Sequence, residues 1–574
     1  MHRKNHARSL ATIGRGLSDN TLAIVQTGVT SLAAALSSVA FLVLTNLLFS
    51  VTFVAFATRS TLYFVIASFL TIISTSAAVG FLLSSFAPEA AGSGIPQVKA
   101  AYWKELGYIP IRIAIVKFIA GILSLGGGTS LGREGPTVQI GASISSWLSG
   151  FMGSSKRKRR GPVVVGASAS LSAAFNTPLA SITFVLEEIM GDMSSRNIGR
   201  VVISSVLGAF TVYALVGRQP AFSLPDITQV SWLQYLIVPF AALAASILGV
   251  VFHRSIIYLR GRLKAERRIP AWARPVFGGF ATWVIGVMIF LGTGRIGVFG
   301  LGYQDLSSLL HNDFIWWIAG IMIVAKLAST ILSYSFGGAG GIFSPLLFIG
   351  GLTGYFIGGL VGLWLPLTPS DRIVLSAVGM SACLGTVLRA PLSSLLIVFE
   401  MTHQFAMVPG LLIAMLVSVL VAKLSGPLNF YDELLVQDGN ELHKIHPPLD
   451  LQSWQSLAVG AIANPRPIML TSLDAPQVEE ALGKYPYSCF PVLREGKVEG
   501  VVLRDELRAA LDEGRRPKLL RVAICSPDRS VREVGDKFLE SPAGVIVLAD
   551  EKSGAVSGII TLHDLLRAQA SFLE

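Results

Sequence analysis

A glycine-rich stretch in the first third of the chain combines residue types suited to binding an anion. It reads GGGTSLGREGPTVQIG over residues 126–141. Pro136 favours the first turn of a helix, and the glycines before it let the backbone approach a ligand closely. The start of that helix offers unpaired N–H groups and partial positive charge, which bind anions. Glu134 adds a carboxylate there, which either caps the helix or gates the anion site.

Two more carboxylates, Glu187 and Glu188, end an apolar segment. An ionisable residue within a membrane span indicates function by default, so each is a candidate functional residue. Lys117 lies in another apolar segment. It either contributes positive potential or satisfies buried carbonyl groups.

The composition indicates a membrane protein with several spans. Only 14% of the residues are charged, against about 25% in soluble domains, and the mean hydropathy is +0.62. The net charge of +11 is typical of basic cytoplasmic loops and does not indicate nucleic-acid binding. The three cysteines suggest no disulfide framework. No His-Glu-x-x-His motif or other metal-ligand pattern is present, so we expect a transporter without a metal site rather than a hydrolytic enzyme.

Apolar segments of two lengths follow one another along the first 437 residues. Long segments, which fit membrane spans, cover residues 21–57, 61–86, 197–216, 232–259, 274–291, 314–334, 342–365, 373–388, 391–405 and 408–424. Shorter ones cover residues 111–125, 137–151 and 178–189. Short, Gly/Pro-interrupted segments are typical of broken helices that meet near the membrane midplane.

Basic clusters predict the orientation in the membrane. They lie at residues 3–15, 156–160 and 260–274, and such clusters mark cytoplasmic loops. We therefore expect cytoplasmic N- and C-termini. No cleaved signal peptide is expected, because no short apolar core with a small-residue cleavage site follows the basic start.

The apolar region contains an internal repeat. An offset of 326 − 117 = 209 pairs Lys117 with Lys326 and Glu134 with Phe343. The same offset pairs a set of small residues and prolines: Gly128 with Gly337, Gly132 with Gly341, Pro136 with Pro345, and Gly141 with Gly350. Farther on, Glu187 pairs with Glu400 at an offset of 213. The repeat predicts a pseudo-two-fold transporter whose site lies at the interface of its halves.

The composition changes near Pro427, and the chain reads as soluble α/β from about residue 453. Two stretches there follow the order strand, tight turn, strand, helix, which predicts a tandem repeat. The predicted divisions are a cytoplasmic segment (1–20), a membrane domain (21–437, with halves 21–216 and 232–437), a linker (438–454) and the tandem α/β units (455–574).

In its sequence motifs, the chain resembles the CLC family of chloride channels and chloride/proton antiporters. Four signatures occur in order: GSGIP with Ser93, GREGP with Glu134, GGIFSP with Phe343, and NFYD with Tyr431. The C-terminal units resemble a pair of CBS domains. The resemblance implies a mainly α membrane protein with the CLC fold, built from two inverted-topology repeats of broken and tilted helices and followed by a soluble α/β CBS pair.

The resemblance also implies roles in binding chloride. The hydroxyls of Ser93 and Tyr431 and the backbone N–H groups of Ile342 and Phe343 would bind a central chloride. The N–H groups from Arg133 through Gly135 would line an outer site. Such neutral donors suit transport, since full ionic pairing would slow the release of the ion.

The resemblance assigns proton handling to two carboxylates. Glu134 would be the external gate, and Glu188 matches the internal proton-transfer residue of antiporters. Glu187 is then the structural member of its pair, because the repeat matches it with Glu400. A passive chloride channel of the same fold, gated by voltage or pH, stays open as the alternative.

For the C-terminal units, Thr561 and Asp564 are spaced like ribose-contacting residues, so an adenine nucleotide is a candidate ligand. The alternative is a purely structural dimerisation module. No other cofactor is expected. The predicted partners are chloride, protons, the lipid bilayer of a bacterial inner (plasma) membrane and a second copy of the chain.

Overall fold

The computed structural model divides the chain into two units, residues 1–442 and 443–574. It describes residues 19–155, 159–191, 197–217, 222, 224, 227, 231–266, 268–440, 457–465, 467–494, 497–549 and 556–571. The basic cluster at residues 3–15, the middle of the run at 156–160 and most of the predicted linker lie outside these residues.

The first unit is helical throughout its described part. Its first repeat contains α1 (Asp19–Phe49), α2 (Thr61–Phe86), α3 (Ile95–Trp103), α4 (Ile111–Gly126), α5 (Glu134–Phe151), α6 (Arg160–Phe175), α7 (Pro178–Phe184) and α8 (Ile198–Leu215). The second repeat contains α9 (Gln234–Ala265), α10 (Arg274–Thr293), α11 (Tyr303–Leu310), α12 (Trp316–Ser335), α13 (Phe343–Val361), α14 (Pro369–Leu388), α15 (Pro391–Thr402) and α16 (Val408–Ser425). A last helix, α17 (Phe430–Gln437), ends the unit. Two π-helical segments, Ser50–Val54 and Val185–Met190, continue α1 and α7.

The order of α1–α8 recurs in α9–α16, as the repeat in the sequence predicts. Close helix pairs recur too, because glycines let backbones approach. A side chain at Gly141 of α5 would collide with Gly166 O of α6, and a side chain at Gly166 would collide with Gly141 O. Gly350 and Gly379 have the same relationship between α13 and α14. The same packing solution is therefore used once in each half.

Nine helical stretches among the described residues are long and apolar enough to cross a membrane. Helix α16 presents exposed leucines, Leu416, Leu420 and Leu424, on one face, as a surface in contact with lipid does. By contrast, 94% of the most apolar stretch of α14 is buried inside the protein. Two of the three segments predicted to be short are confirmed, with 16 residues in α4 and 7 in α7, whereas α5 has 18 residues. The prediction of a long segment at residues 391–405 is wrong, because α15 has only 12 residues.

The second unit mixes strands and helices. Its helices are α18 (Val459–Ile462), α19 (Ala475–Lys484), α20 (Arg504–Asp512), α21 (Val531–Glu540) and α22 (Leu562–Ser571). Strands β1 (Cys489–Arg494) and β2 (Lys497–Leu503) pair antiparallel. Strand β4 (Val545–Ala549) pairs parallel with β3 (Ala523–Cys525) and antiparallel with β5 (Val556–Thr561). The order strand, strand, helix thus occurs twice, as predicted, in β1–β2–α20 and β4–β5–α22.

Candidate functional site

The loops that precede α5 and α13 meet inside the first unit. Gly132 N donates to Gly341 O at 2.7 Å, and Gly341 N donates to Gly132 O at 2.6 Å. These are residues that the sequence repeat pairs with each other. Helices α5 and α13 each begin two residues after the paired glycine. Two helix N-termini, each with partial positive charge, therefore start at the same place.

Glu134 is fully buried at this meeting point. Its Oε1 accepts hydrogen bonds from Tyr303 OH at 3.0 Å and from Ser344 Oγ at 2.5 Å. The backbone nitrogen of Ser344 lies 3.4 Å from Oε2. The start of α5 has no side-chain cap. The carboxylate therefore contacts the first turn of α13, in the other repeat, rather than capping its own helix.

Arg133 places a full positive charge beside Glu134. Its Nε lies 3.9 Å from Glu134 Oε1, and its Nη2 donates to Ala174 O at 3.1 Å. The guanidinium carbon also lies 5.2 Å from the centre of the Tyr303 ring. The sequence predicted a role for the backbone of Arg133 only, so this charge near the carboxylate is an addition.

Ser93 and Tyr431 supply two buried hydroxyls. Apart from a contact with each other, Ser93 Oγ and Tyr431 OH make no hydrogen bond to the described part of the chain. A buried polar group left without a partner costs about 1–3 kcal/mol, so this pair suits a guest that accepts hydrogen bonds. Gly135 brings α5 against Ser93, because a side chain at this glycine would collide with Ser93 Oγ. The Tyr431 hydroxyl lies within electrostatic range of both Glu134 and Glu188.

Ile342 and Phe343 form the start of α13 and are fully buried. Their N–H groups belong to the set that has no partner within a helix. The Phe343 ring packs edge-on against Phe184, with 5.3 Å between ring centres. Apolar packing thus surrounds these donors.

Glu188 lies in a buried ionic cluster. Lys99 Nζ lies 2.6 Å from Glu188 Oε1 and 2.7 Å from Asp432 Oδ1. Asn429 Nδ2 donates to Glu188 Oε2 at 2.9 Å. Lys99 and Glu188 are 1% and 2% exposed, whereas Asp432 is 17% exposed. Lys99 therefore joins Glu188 to a carboxylate that reaches the surface of the unit.

Glu187 makes a different set of contacts, although it neighbours Glu188 in the π-helical segment. Its Oε2 accepts from Ser393 N at 2.9 Å and from Ser393 Oγ at 2.5 Å. The repeat partner Glu400 accepts from Leu179 N at 2.9 Å and Ala180 N at 2.7 Å. Both residues cap helix starts, which fits the structural role that the sequence predicted for Glu187.

Lys117 and Lys326 are both fully buried. Lys117 Nζ donates to Ala90 O at 2.8 Å and also to Gly92 O. Lys326 Nζ donates to Gly297 O at 3.0 Å and to Gly300 O at 2.7 Å. Of the two interpretations of Lys117, the geometry favours the one in which it satisfies buried carbonyl groups.

In the second unit, Thr561 and Asp564 both line a cavity of about 590 Å³, together with Tyr487, His563 and Arg567. Thr561 Oγ1 donates to Asp564 Oδ2 at 2.7 Å. The corresponding acid of the other repeat, Glu506, is held elsewhere. It accepts from Arg515 and from Lys518 N, and the Arg515 hydrogen bond lowers its pKa to about 2. Within the described residues, no group of three His, Cys, Asp or Glu side chains could hold a metal ion.

Sequence reasoning missed Tyr303, Ser344 and Lys99, all of which contact a predicted carboxylate. For Lys99 a signal existed, because it is a lone cation beside the GSGIP motif in a buried helix. Ser344 stands within the GGIFSP motif, yet the motif does not reveal what its hydroxyl contacts. Tyr303 carries no local signal.

Comparisons with known proteins agree with this architecture. The family model described as voltage gated chloride channel matches residues 75–423, and a CBS domain model matches residues 520–571. The H(+)/Cl(-) exchange transporter ClcA of Vibrio campbellii is 31% identical over 366 residues, covering 62% of this chain and 76% of the relative. The same-named protein of Vibrio cholerae is 31% identical over 371 residues, with the same coverage.

Solved structures show the same fold. A slow cyanobacterial Cl-/H+ antiporter aligns with a TM-score of 0.65 at 24% identity, covering 75% of this chain and 99% of its own. A eukaryotic CLC transporter aligns with a TM-score of 0.61 at 20% identity, covering 95% and 98%. The eukaryotic structure therefore aligns with far more of the chain than the cyanobacterial one does.

Proposed function

This chain belongs to the voltage-gated chloride channel family, and on that premise we propose that it exchanges chloride for protons across the membrane in which it is embedded. One arrangement carries the proposal. The hydroxyl of Ser93 lies against Gly135 at the start of α5, and the hydroxyl of Tyr431 is within electrostatic range of the carboxylates of Glu134 and Glu188. These buried groups supply the anion donors and the two proton acceptors that the proposal needs.

Chloride binds in this proposal through neutral donors. The hydroxyls of Ser93 and Tyr431 and the N–H groups of Ile342 and Phe343 hold the central ion. Arg133 and Gly135 contribute backbone N–H groups to an outer position. Because these donors carry only partial charge, the ion is stabilised without being trapped.

Glu134 acts as the gate. In its ionised form it lies against the first turn of α13, where chloride would otherwise bind, and the two anions compete for the same donors. Protonation removes that competition and lets the side chain leave with its proton. Glu188 exchanges protons from the other side, and the cluster with Lys99 and Asp432 gives it a route to the surface of the unit.

A passive chloride channel is the rival proposal, since it shares the fold and the gate. Purified protein in liposomes separates the two. Under a chloride gradient with no proton gradient, we expect uphill proton movement, which E188A abolishes while chloride still flows. Chloride flow without proton movement in the unmodified chain would establish the channel instead.

Two finer proposals concern assembly and regulation. We propose a homodimer in a bacterial inner membrane with both termini in the cytoplasm, as in the family that the sequence resembles. We also propose that an adenine nucleotide binds the cavity lined by Thr561 and Asp564. The cavity suits such a ligand because it adds an aromatic ring, Tyr487, and a cation, Arg567.

A further inference from the structure

Two side-chain hydroxyls from separate elements converge on the Glu134 carboxylate. Tyr303 OH and Ser344 Oγ both donate to Oε1, and they lie 3.0 Å from each other. Tyr303 is the first residue of α11, and Ser344 is the second residue of α13. Hydrogen bonds to an ionised oxygen are stronger than those between neutral groups. The ionised form of Glu134 is therefore stabilised by two hydroxyl groups as well as by the start of α13.

The repeat explains how Tyr303 reaches this place. Helices α3 and α11 are the third helices of their halves, and each begins after a glycine in the left-handed region. These glycines are Gly94, with φ of 95°, and Gly302, with φ of 80°. The loop before α3 carries Ser93 to the central hydroxyl pair. The matching loop before α11 carries Tyr303 to the gate.

Two packing contacts hold the Tyr303 ring and so fix the position of its hydroxyl. Phe222 packs edge-on at 5.2 Å between ring centres, and the Arg133 guanidinium carbon lies 5.2 Å from the ring centre. Ser344 is fully buried in a helix. Neither hydroxyl can follow the carboxylate when Glu134 swings away, so both bonds must break at that step.

We infer that Tyr303 and Ser344 are positioning residues that hold the ionised Glu134 carboxylate at the start of α13 and so limit the rate at which chloride replaces it. The inference rests on the proposed role of Glu134 as the gate. It adds two residues to that role. Removing one hydroxyl weakens the hold on the carboxylate, and a hydrogen bond to a charged group is worth roughly a factor of ten or more in an equilibrium.

The test is chloride turnover in liposomes at saturating chloride. Y303F keeps the ring that packs on Phe222 and Arg133 and removes only the hydroxyl. We expect turnover about tenfold above that of the unmodified chain, and an increase in the same direction for S344A. Y355F is the matched control. Its buried hydroxyl lies within hydrogen-bond distance of two acceptors, Asn312 Oδ1 and Phe314 O, and not of Glu134, so the turnover of Y355F should match that of the unmodified chain.

The same changes in an E134A background separate a hold on the gate from a general effect on packing. Without the carboxylate, Y303F and S344A should no longer raise turnover. If Y303F and S344A still raise turnover in the E134A background, then the inference is wrong although Glu134 can still be the gate. The same holds if neither variant raises turnover when Glu134 is present. If E134A itself leaves the pH dependence of chloride flux unchanged, then the gate assignment fails, and the inference fails with it.

Discussion

Glu187 caps the helix that carries Glu400, and Glu400 caps the helix that leads into the segment with Glu187. Glu187 accepts hydrogen bonds at the start of α15, the helix that carries Glu400. Glu400 accepts hydrogen bonds at the start of α7, the helix that leads into the segment with Glu187. A carboxylate at a helix N-terminus stabilises the exposed N–H groups and the helix dipole. This crossed pair therefore joins the two repeats with four backbone donors as its partners.

The crossed caps predict equal losses of stability. E187A and E400A should each lower the free energy of unfolding by about 2 kcal/mol, the upper range for a partly buried charge at a helix end. Thermal unfolding of the purified protein in detergent measures the effect. E89A is the control, because Glu89 makes only an exposed ion pair with Arg112 and should cost less than about 1 kcal/mol. Unfolding temperatures of E187A and E400A equal to that of E89A would contradict the assignment.

Removing the charge of Glu134 should uncouple chloride flux from pH. E134Q mimics the protonated gate, so we expect chloride flux that stays constant over the pH range in which the flux of the unmodified chain changes. Flux into liposomes at a series of pH values measures this. E89Q, on an exposed carboxylate, should keep the pH dependence of the unmodified chain. Complete loss of chloride transport in E134Q would mean that Glu134 is needed for something other than gating.

Removing the hydroxyl of Tyr431 should weaken chloride binding. A hydrogen bond to a charged group contributes about 1.5–3 kcal/mol, so Y431F should raise the dissociation constant by about tenfold or more. Isothermal titration of the purified protein with chloride gives that constant. Y355F loses a buried hydroxyl elsewhere and should bind like the unmodified chain. An unchanged affinity in Y431F would remove Tyr431 from the site.

Breaking the cluster around Glu188 should be costly. K99M leaves Glu188 and Asp432 without their shared cation, and removal of one partner from a buried ion pair costs about 3–5 kcal/mol. Thermal unfolding in detergent should show a clear loss of stability. The double variant K99M/E188Q removes one uncompensated charge and should regain part of that loss. If K99M is as stable as the unmodified chain, then the pair does not stabilise the fold.

Nucleotide binding should depend on Asp564. Titration of the full chain with ATP should detect binding, and D564A should weaken it by about tenfold, because a charge-assisted hydrogen bond is lost. Asp528 is exposed in the same unit, so D528A serves as the control. The absence of ATP binding to the unmodified chain would favour a purely structural role for this unit.

The repeat and the helix starts could be predicted from the sequence because short motifs mark both of them. The GREGP and GGIFSP motifs each place a proline in a first helical turn, and a fixed offset relates them. That offset matches Gly132 with Gly341 as equivalent positions, whereas the hydrogen bonds between them come from the structure.

The contacts of the carboxylates could not be predicted in the same way. Glu134 meets Tyr303 and Ser344 across 169 and 210 residues of sequence, and no periodicity encodes which side chains meet over such separations. Glu187 and Glu188 are adjacent, yet they bond to different elements, because successive side chains on a helix point in different directions. The segment that carries them is π-helical. That irregularity has no sequence signature in this chain, and π-helical turns occur often at functional sites.

The repeat places Glu134 at the start of α5 and Phe343 at the matching start of α13. Because the two helix starts meet at Gly132 and Gly341, the acidic and the aromatic member of this matched pair lie in the same buried place. The symmetry of the scaffold is therefore broken where its halves meet. Of the two equivalent positions, only the one in the first half can change its charge with pH.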